Sequence, residues 1–307
     1  MHVAVFGAGA LGLVYGVRLA TRTSTSVTFV VRPARVTETA PYAIESAWSG
    51  KRETLEAPVR AATVPPDADV VLLCVGTEDL DALAGPLASS SAPIVVVTPM
   101  MPQDWRRIRG VYGDRVLAAF PTMSSYVRKA DGVVRYWLLP SPTLIDEPRP
   151  PSAPIDELVG ALNRAGVWTK LALGVHESNP ATTVGFIPIG MGLCVAGSGD
   201  ALVADEELCA LVARAVDEGG RLAHRIGKPE LFSVFFPVVA SRWALKLWLR
   251  ALPAEARFFA EDHFGRKIAD QHRVMIRQMI ELAIEKQLPH EALDQLAIRL
   301  DACVGAV

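Results

Sequence analysis

The sequence predicts an α/β protein, a doubly wound parallel sheet followed by an all-helical region. Three observations carry this. A glycine-rich turn lies between a short β-branched run and a helical pattern within the first twenty or so residues, further near-continuous apolar runs alternate with helical spacing, and after about His176 the β-branched runs stop. Strands covered by helices on both faces are apolar throughout, which is the pattern seen here.

Val3 to Phe6 reads as the first strand, Gly7-Ala8-Gly9-Ala10-Leu11-Gly12 as a turn, and Leu13 to Ala20 as a helix. A second strand, Val27 to Val31, ends in Arg32-Pro33-Ala34-Arg35. Ala68 to Val75 and Pro93 to Val97 are apolar runs of the buried-strand kind, and Asp79 to Leu87 between them has helical spacing with a start at Thr77. Val116 to Phe120 and Val133 to Leu139 read as later strands, the second leaving the domain. Prolines cluster between Leu144 and Pro154 and read as a linker over 146–154, followed by a helix over Ile155 to Ala165 and an extended piece over Val167 to Leu173. Asp205 to Ile226, Leu231 to Leu252, Ile268 to Lys286 and His290 to Val304 have helical apolar spacing. We place the domains at 1–174 and 175–307, in keeping with a length of 307 residues.

Half the residues are apolar, and 31 Lys and Arg stand against 33 Asp and Glu. That balance excludes a polyanion-binding surface, so neither nucleic acid nor an anionic membrane is expected as a partner. The uncharged stretch from Ser178 to Gly199 contains Asn179, Thr182, Thr183, prolines and glycines, and reads as a buried helix or helix pair rather than a membrane span. Cys74, Cys194, Cys209 and Cys303 are widely spaced among apolar neighbours, with no ligand pairing. They read as reduced core thiols of a cytoplasmic protein, with no metal site.

Strand, GxGxxG turn and helix form the dinucleotide-binding (Rossmann-type) fingerprint. Gly7 serves the tight turn, Gly9 the close approach of a pyrophosphate, and Gly12 the contact of helix with strand. Such turns also occur for structural reasons alone. Where an NAD enzyme usually carries Asp or Glu at the end of the second strand, this chain has Arg32 with Arg35 nearby, which suits the 2′-phosphate of NADP(H). The alternative is a solvated loop arginine. Ala8, Ala10, Leu11, Cys74, Val75, Gly76 and Pro99, in the turn and at later strand ends, complete the expected cofactor contacts.

The chain resembles the ketopantoate reductase (2-dehydropantoate 2-reductase) family. The carrying residues are GAGALG at Gly7 to Gly12, VVRPAR at Val30 to Arg35, DADVVLLCVGTEDL at Asp67 to Leu80, and a stretch from Asp262 through Gly265 and Asp270 to about Leu288. The resemblance implies an NADPH-dependent hydride transfer, with a lysine on the first helix of the helical domain acting as general acid. By helix position that lysine falls near Thr182 or Thr183, and neither is lysine. Pro99-Met100 stands where the family has Asn-Gly, Gly76 where it has a lysine, and Arg257 and Phe258 where serines are expected. Asp270 matches the spacing of a carboxylate that binds a substrate hydroxyl, or is a solvated helix-face residue.

These departures point to a substrate other than ketopantoate. Thr183 is a weak proton donor that can orient a water. Lys246, within Trp243 to Leu249, is either a buried ammonium with a lowered pKa or a lysine snorkelling from an amphipathic helix. His176 is a candidate for proton transfer or a surface histidine. Ser124 and Ser125, after a strand end, and Met100 are expected to line the substrate pocket, unless they simply pack or form a polar loop. The expected function is an NADPH-dependent reductase acting on a C=O or C=N group of a small substrate. Two alternatives stand beside it: an NADP-binding sensor or structural subunit without hydride transfer, and a hydroxy-acid or opine-type dehydrogenase. Fold analogy adds a homodimer through the helical domain around Phe232 to Trp248.

Overall fold

Val3, Ala4, Val5, Val70 to Leu73 and Ile94 to Val96 are all buried, as strands at the centre of a sheet covered on both faces must be. The computed structural model describes residues 1–76, 83–88, 90–128, 130–228 and 241–304. It divides into two units, Met1–Thr98 with Arg106–His176, and Pro99–Trp105 with Glu177–Val307.

In chain order the first part contains β1 (His2–Phe6), α1 (Ala10–Arg22), β2 (Ser26–Val30), β3 (Tyr42–Ser46), β4 (Arg52–Leu55), β5 (Val59–Ala61), β6 (Val70–Leu73), α2 (Ala84–Leu87), β7 (Ile94–Val96), α3 (Pro102–Tyr112), β8 (Val116–Phe120), β9 (Met123–Val127), β10 (Val134–Leu138), β11 (Thr143–Asp146), α4 (Ala153–Arg164) and β12 (Thr169–Ala172). Among the described residues the main sheet has eight strands in the order β12-β11-β8-β7-β6-β1-β2-β5. From β5 to β8 every pairing is parallel. β11 runs antiparallel to β8, and β12 runs parallel to β11. The order reverses between β1 and β6, which makes that junction the switch point of a doubly wound sheet.

A second sheet, β4-β3-β10-β9, packs on α1. The helix is therefore covered on two sides, and Gly12 to Leu19 are buried without a break. Arg18 falls within that run. Its Nε donates to the Ala165 carbonyl at 2.9 Å, Nη1 to the Tyr136 hydroxyl at 2.7 Å and Nη2 to the Gly166 carbonyl at 3.2 Å, so each nitrogen of the buried guanidinium has an acceptor. Tyr136 in turn donates to Glu53, which also receives Arg22.

Two expectations change here. Val133 to Leu139 does not leave the domain, because β10 is an inner strand of the second sheet, between β3 and β9. Thr143 to Asp146, expected at the edge of a linker, is β11 of the main sheet. Pairing with β8 and β12 holds it, between Pro142 and Pro148.

The second part contains α5 (Val175–Ala196), α6 (Gly199–Ala204), α7 (Glu206–Ile226), α8 (Arg242–Ala251), α9 (Ala254–Phe258), a π-helical stretch (Phe259–Lys267), α10 (Ala269–Glu285) and α11 (Glu291–Val304). The first residues of the expected Leu231 to Leu252 helix, and residues 77–82, which hold the start of the expected Asp79 to Leu87 helix, lie outside the described residues. α5 is long and apolar enough to cross a membrane, but 78% of its most apolar window is buried. It runs closely against α7 at glycines. A Cβ on Gly192 would lie 2.4 Å from Val212, and one on Gly219 would lie 2.6 Å from the Val184 carbonyl. That carbonyl has no helical donor, because its partner four residues on is Pro188.

Side chains cap two of the helix starts in this part, Ser198 before α6 and Asp205 before α7. Asp205 accepts from Leu208 N–H at 2.9 Å at the start of α7. Buried Glu218 reaches from α7 to the start of α11 and accepts from the Ala292 and Leu293 N–H groups at 3.0 and 2.9 Å. His272 on α10 is completely buried, and that burial pushes its pKa down to about 4.

An unfolded histidine titrates near 6.5, so between about pH 6.5 and 4 the unfolded chain binds a proton that the folded chain refuses. Stability therefore falls as the pH drops through this window, by about 2 kcal/mol between pH 7 and pH 5 from this group. Urea unfolding at both pH values measures it, and His272→Leu is expected to reduce the difference by that amount.

Candidate functional site

The glycine turn between β1 and α1 is shaped by close contacts. Gly7 has φ of 99°, and a Cβ there would stand 2.7 Å from Val75 Cγ1 and 2.9 Å from the Cys74 carbonyl. A Cβ on Gly12 would lie 2.0 Å from the Gly7 carbonyl oxygen, so α1 rests directly on the turn. Gly9 differs: a Cβ there meets nothing within 4 Å. Protein packing does not demand glycine at this position, and its side faces open space.

The first helical bond runs from Leu13 N–H to the Gly9 carbonyl at 2.9 Å, so the N–H groups of Ala10, Leu11 and Gly12 precede any helical acceptor. The first turn carries no acidic residue. Such a helix start, with unpaired N–H groups and open space beside Gly9, has the features that favour an anion.

At the end of β2, Arg32 is exposed, and among the described residues no carboxylate pairs with it. Its carbonyl accepts from Arg35 N–H at 2.8 Å, heading a short turn over Pro33–Arg35. Arg35 is engaged differently. Its Nε lies 3.1 Å from both Glu38 carboxylate oxygens and holds that carboxyl below the usual range. Cys74, Val75 and Gly76 follow β6, where Cys74 N–H donates to the Phe6 carbonyl at 2.8 Å and Thr98 Oγ1 donates to the Val75 carbonyl at 2.6 Å. The residues of this unit expected from the sequence to contact a cofactor thus gather at the carboxyl ends of β1, β2 and β6.

Ser124 and Ser125 lie in β9, opposite Trp137 and Tyr136 of β10. The structure therefore puts them in the small sheet over α1, with Ser125 buried, and not in a loop at the edge of the main sheet. At the end of β11, Asp146 Oδ1 accepts from Val175 N–H at 2.8 Å, and Oδ2 accepts from His176 N–H at 3.1 Å. The same Oδ2 is 3.0 Å from His176 Nδ1.

In the second unit, Pro99 is exposed while Met100 and Met101 are completely buried. Met100 N–H donates to Asn179 Oδ1 at 3.3 Å. Thr183 Oγ1 donates to the Asn179 carbonyl at 2.9 Å and lies 3.5 Å from Asn179 Oδ1. Asn179 thus joins two of the candidate residues. The sequence signal for it was a carboxamide in an uncharged helix, which needs partners once buried.

The other candidates have different surroundings. Lys246 is buried with its ammonium on Glu206, whose carboxyl it holds below the usual range. Asp270 is exposed in the first turn of α10. Among the described residues no cluster of His, Cys, Asp or Glu is arranged to hold a metal.

Residues 3–139 match the family model of ketopantoate reductase PanE/ApbA. None of the curated proteins compared by sequence matches the chain. In fold it is similar to 2-dehydropantoate 2-reductase from Geobacter metallireducens, with a TM-score of 0.72 over 98% of this chain and 99% of that one, at 17% identity. D-mandelate dehydrogenase with NADH and anilino(oxo)acetate gives a TM-score of 0.71 at 14% identity, over 100% and 99% of the two chains. A dimeric ketopantoate reductase from Staphylococcus aureus gives 0.69 at 15%, over 99% and 98%. The resemblance read from the sequence therefore stands: residues 3–139 match the family model, and the chain shares the α/β fold of these structures along its length.

The two glycines should separate in experiment. Gly12→Ala forces a Cβ onto a backbone carbonyl and is expected to cost about 3 kcal/mol of stability. Gly9→Ala has room, so its thermal midpoint should stay within a few degrees of wild type while phosphate-ligand binding weakens. Thermal melts of both variants, with a dinucleotide titration of Gly9→Ala, test the assignment.

Proposed function

We propose that this protein is an NADPH-dependent reductase acting on the C=O or C=N group of a small 2-oxo acid or related imine other than ketopantoate. One observation carries the reading: a glycine cradle left open at Gly9, beside an arginine at the end of β2 with no carboxylate partner among the described residues. Gly7 to Gly12 would hold the pyrophosphate, with Ala8, Ala10 and Leu11 supplying backbone, and Arg32 would hold the 2′-phosphate. Cys74 to Gly76 and Pro99 complete the cofactor contacts. Arg35, tied to Glu38, acts by shaping the turn that presents Arg32.

The bound dinucleotide supplies a hydride; the chain's own residues bind, orient and exclude water. Thr183, fixed by Asn179, is the hydroxyl we assign to a substrate oxygen or to an ordered water. Asp270 is assigned to a substrate hydroxyl. Met100 contributes apolar packing behind Asn179 rather than exposed pocket surface. The opposite direction, oxidation of a 2-hydroxy acid, uses the same groups, and the likeness to D-mandelate dehydrogenase favours testing it as well. An NADP-binding sensor is the reading to adopt if hydride transfer is absent. We place the protein in the cytoplasm, as its free cysteines suit a reducing compartment. We also propose a homodimer through the helical unit, where Trp243 and Leu247 stand exposed one turn apart on α8.

Loss of a charge-assisted phosphate contact is expected to weaken NADPH binding by about 10- to 100-fold in Arg32→Ala while leaving NADH binding unchanged. Fluorescence titration with both cofactors measures this, and equal NADPH affinity in wild type and variant sinks the assignment. NADPH oxidation should be followed with ketopantoate, pyruvate, phenylglyoxylate and a cyclic imine acid. Tight binding without turnover on any of them favours the sensor. Light scattering at two concentrations should give twice the chain mass, and a lower mass for Leu247→Glu.

A further inference from the structure

Arg32 is exposed on the segment that joins β2 to β3, residues 31–41. A guanidinium on a loose loop loses backbone and rotamer freedom when it binds, so a loop fixed beforehand holds a phosphate more tightly. We propose that Arg60, on β5, is the positioning residue of this segment and sets the preference for NADPH over NADH without touching either cofactor. This rests on the assignment of Arg32 to the 2′-phosphate.

Arg60 grips the segment at its far end. Its Nη1 donates to the Glu38 carbonyl and its Nη2 to the Ala40 carbonyl, while Nε donates to the Tyr42 hydroxyl at 2.9 Å. The guanidinium carbon also stands 4.3 Å from the centroid of the Tyr42 ring. Tyr42 is buried and meets Phe29 of β2 edge-on, with ring centroids 4.9 Å apart. Phe29 is in turn the residue that pairs with Arg60 in the sheet. Strand, ring and segment thus close around one guanidinium.

A relay of bonds leads from there to Arg32. Glu38 gives its carbonyl to Arg60 and its carboxylate to Arg35, whose Nε lies 3.1 Å from both oxygens. Glu38 N–H donates to the Arg35 carbonyl at 3.3 Å, and Arg35 N–H to the Arg32 carbonyl at 2.8 Å. At the near end, Val31 N–H donates to the Ala61 carbonyl at 2.9 Å, so neighbouring residues of β5 hold both ends. Between them Val36 packs against the core of the unit. Val30 pairs with Phe6, which sets the start of the segment level with the glycine turn, one strand away at about 5 Å.

The acceptors on Arg60 are two carbonyls and a hydroxyl in different directions, and a planar fork of three nitrogens serves them where the single nitrogen of a lysine does not. This separates positioning from charge. A cation at this site attracts a phosphate whether it is arginine or lysine, but only arginine keeps the segment gathered.

The experiment measures NADPH and NADH dissociation constants by fluorescence titration. Arg60→Lys and Arg60→Gln are each expected to weaken NADPH binding about tenfold and to leave NADH binding within about twofold of wild type. In an Arg32→Ala background Arg60→Gln should have no further effect on NADPH, since the contact it positions is already gone. Glu38→Gln, at an exposed residue, divides the two explanations by sign: loss of a nearby carboxylate tightens NADPH binding if charge alone matters, and weakens it if the relay holds Arg32. Wild-type NADPH affinity in Arg60→Lys, tighter NADPH binding in Glu38→Gln, or additive losses in the double variant overturns the relay and leaves the Arg32 assignment standing. Equal losses of NADPH and NADH in the Arg60 variants reduce Arg60 to a structural residue and also overturn it. Arg32→Ala that binds NADPH as wild type does overturns the 2′-phosphate assignment, and the proposal with it.

Discussion

The close approach of Gly12 to the Gly7 carbonyl is the constraint from which the rest of the first unit follows. No side chain fits there, and because none is present, α1 starts flush against the end of β1 with its unpaired N–H groups facing outward. A helix set so close to one sheet exposes its other face, and the second sheet covers that face. The cost of this burial is Arg18, a charge inside the layer. It is tolerated because the carbonyls of Ala165 and Gly166 and the Tyr136 hydroxyl receive it. The same bonds tie the loop after α4 and the inner strand of the small sheet to the helix that presents the cradle.

Pairing, not residue type, decides which charges are available for chemistry. Arg32 and Arg35 are three residues apart, yet one is bound to Glu38 and the other has no carboxylate partner among the described residues. Lys246 is the most deeply apolar lysine in the sequence pattern, and a glutamate from α7 claims it. His176 reads from the sequence as a surface residue in a turn, and a carboxylate thirty residues earlier in the chain turns it into an oriented imidazole. Glu38 is within one turn of Arg35, but the partners of Lys246 and His176 lie far beyond the helical or strand period that a sequence scan follows.

Buried polar groups tell a parallel story in the helical unit. Asn179 is completely buried, and Met100 and Thr183 both bond to it, so a loop and a helix meet at one carboxamide. Glu218 does similar work at the start of α11. In each case a polar side chain replaces the local partner that a helix end or an isolated N–H lacks.

Much of the fold is legible in the amino-acid order because its signals are local. The apolar runs of β1, β6, β7 and β8, the glycine turn, the cap of α7 and the apolar stripe of α10 all depend on residues within a few positions of one another. The cradle and Arg32 belong to that class, since a turn and a strand end are local features. The short strands β3, β4 and β5, and β11 beside the prolines, carry no such pattern. They form because a partner strand or the exposed face of α1 is there to be covered, and distant chain segments supply it. By itself the sequence determined that a glycine turn joins the first strand to the first helix and which charge stands at the end of the second strand. Only the tertiary structure decided which of the remaining polar residues are already bonded, because a hydrogen-bond partner is chosen by proximity in space.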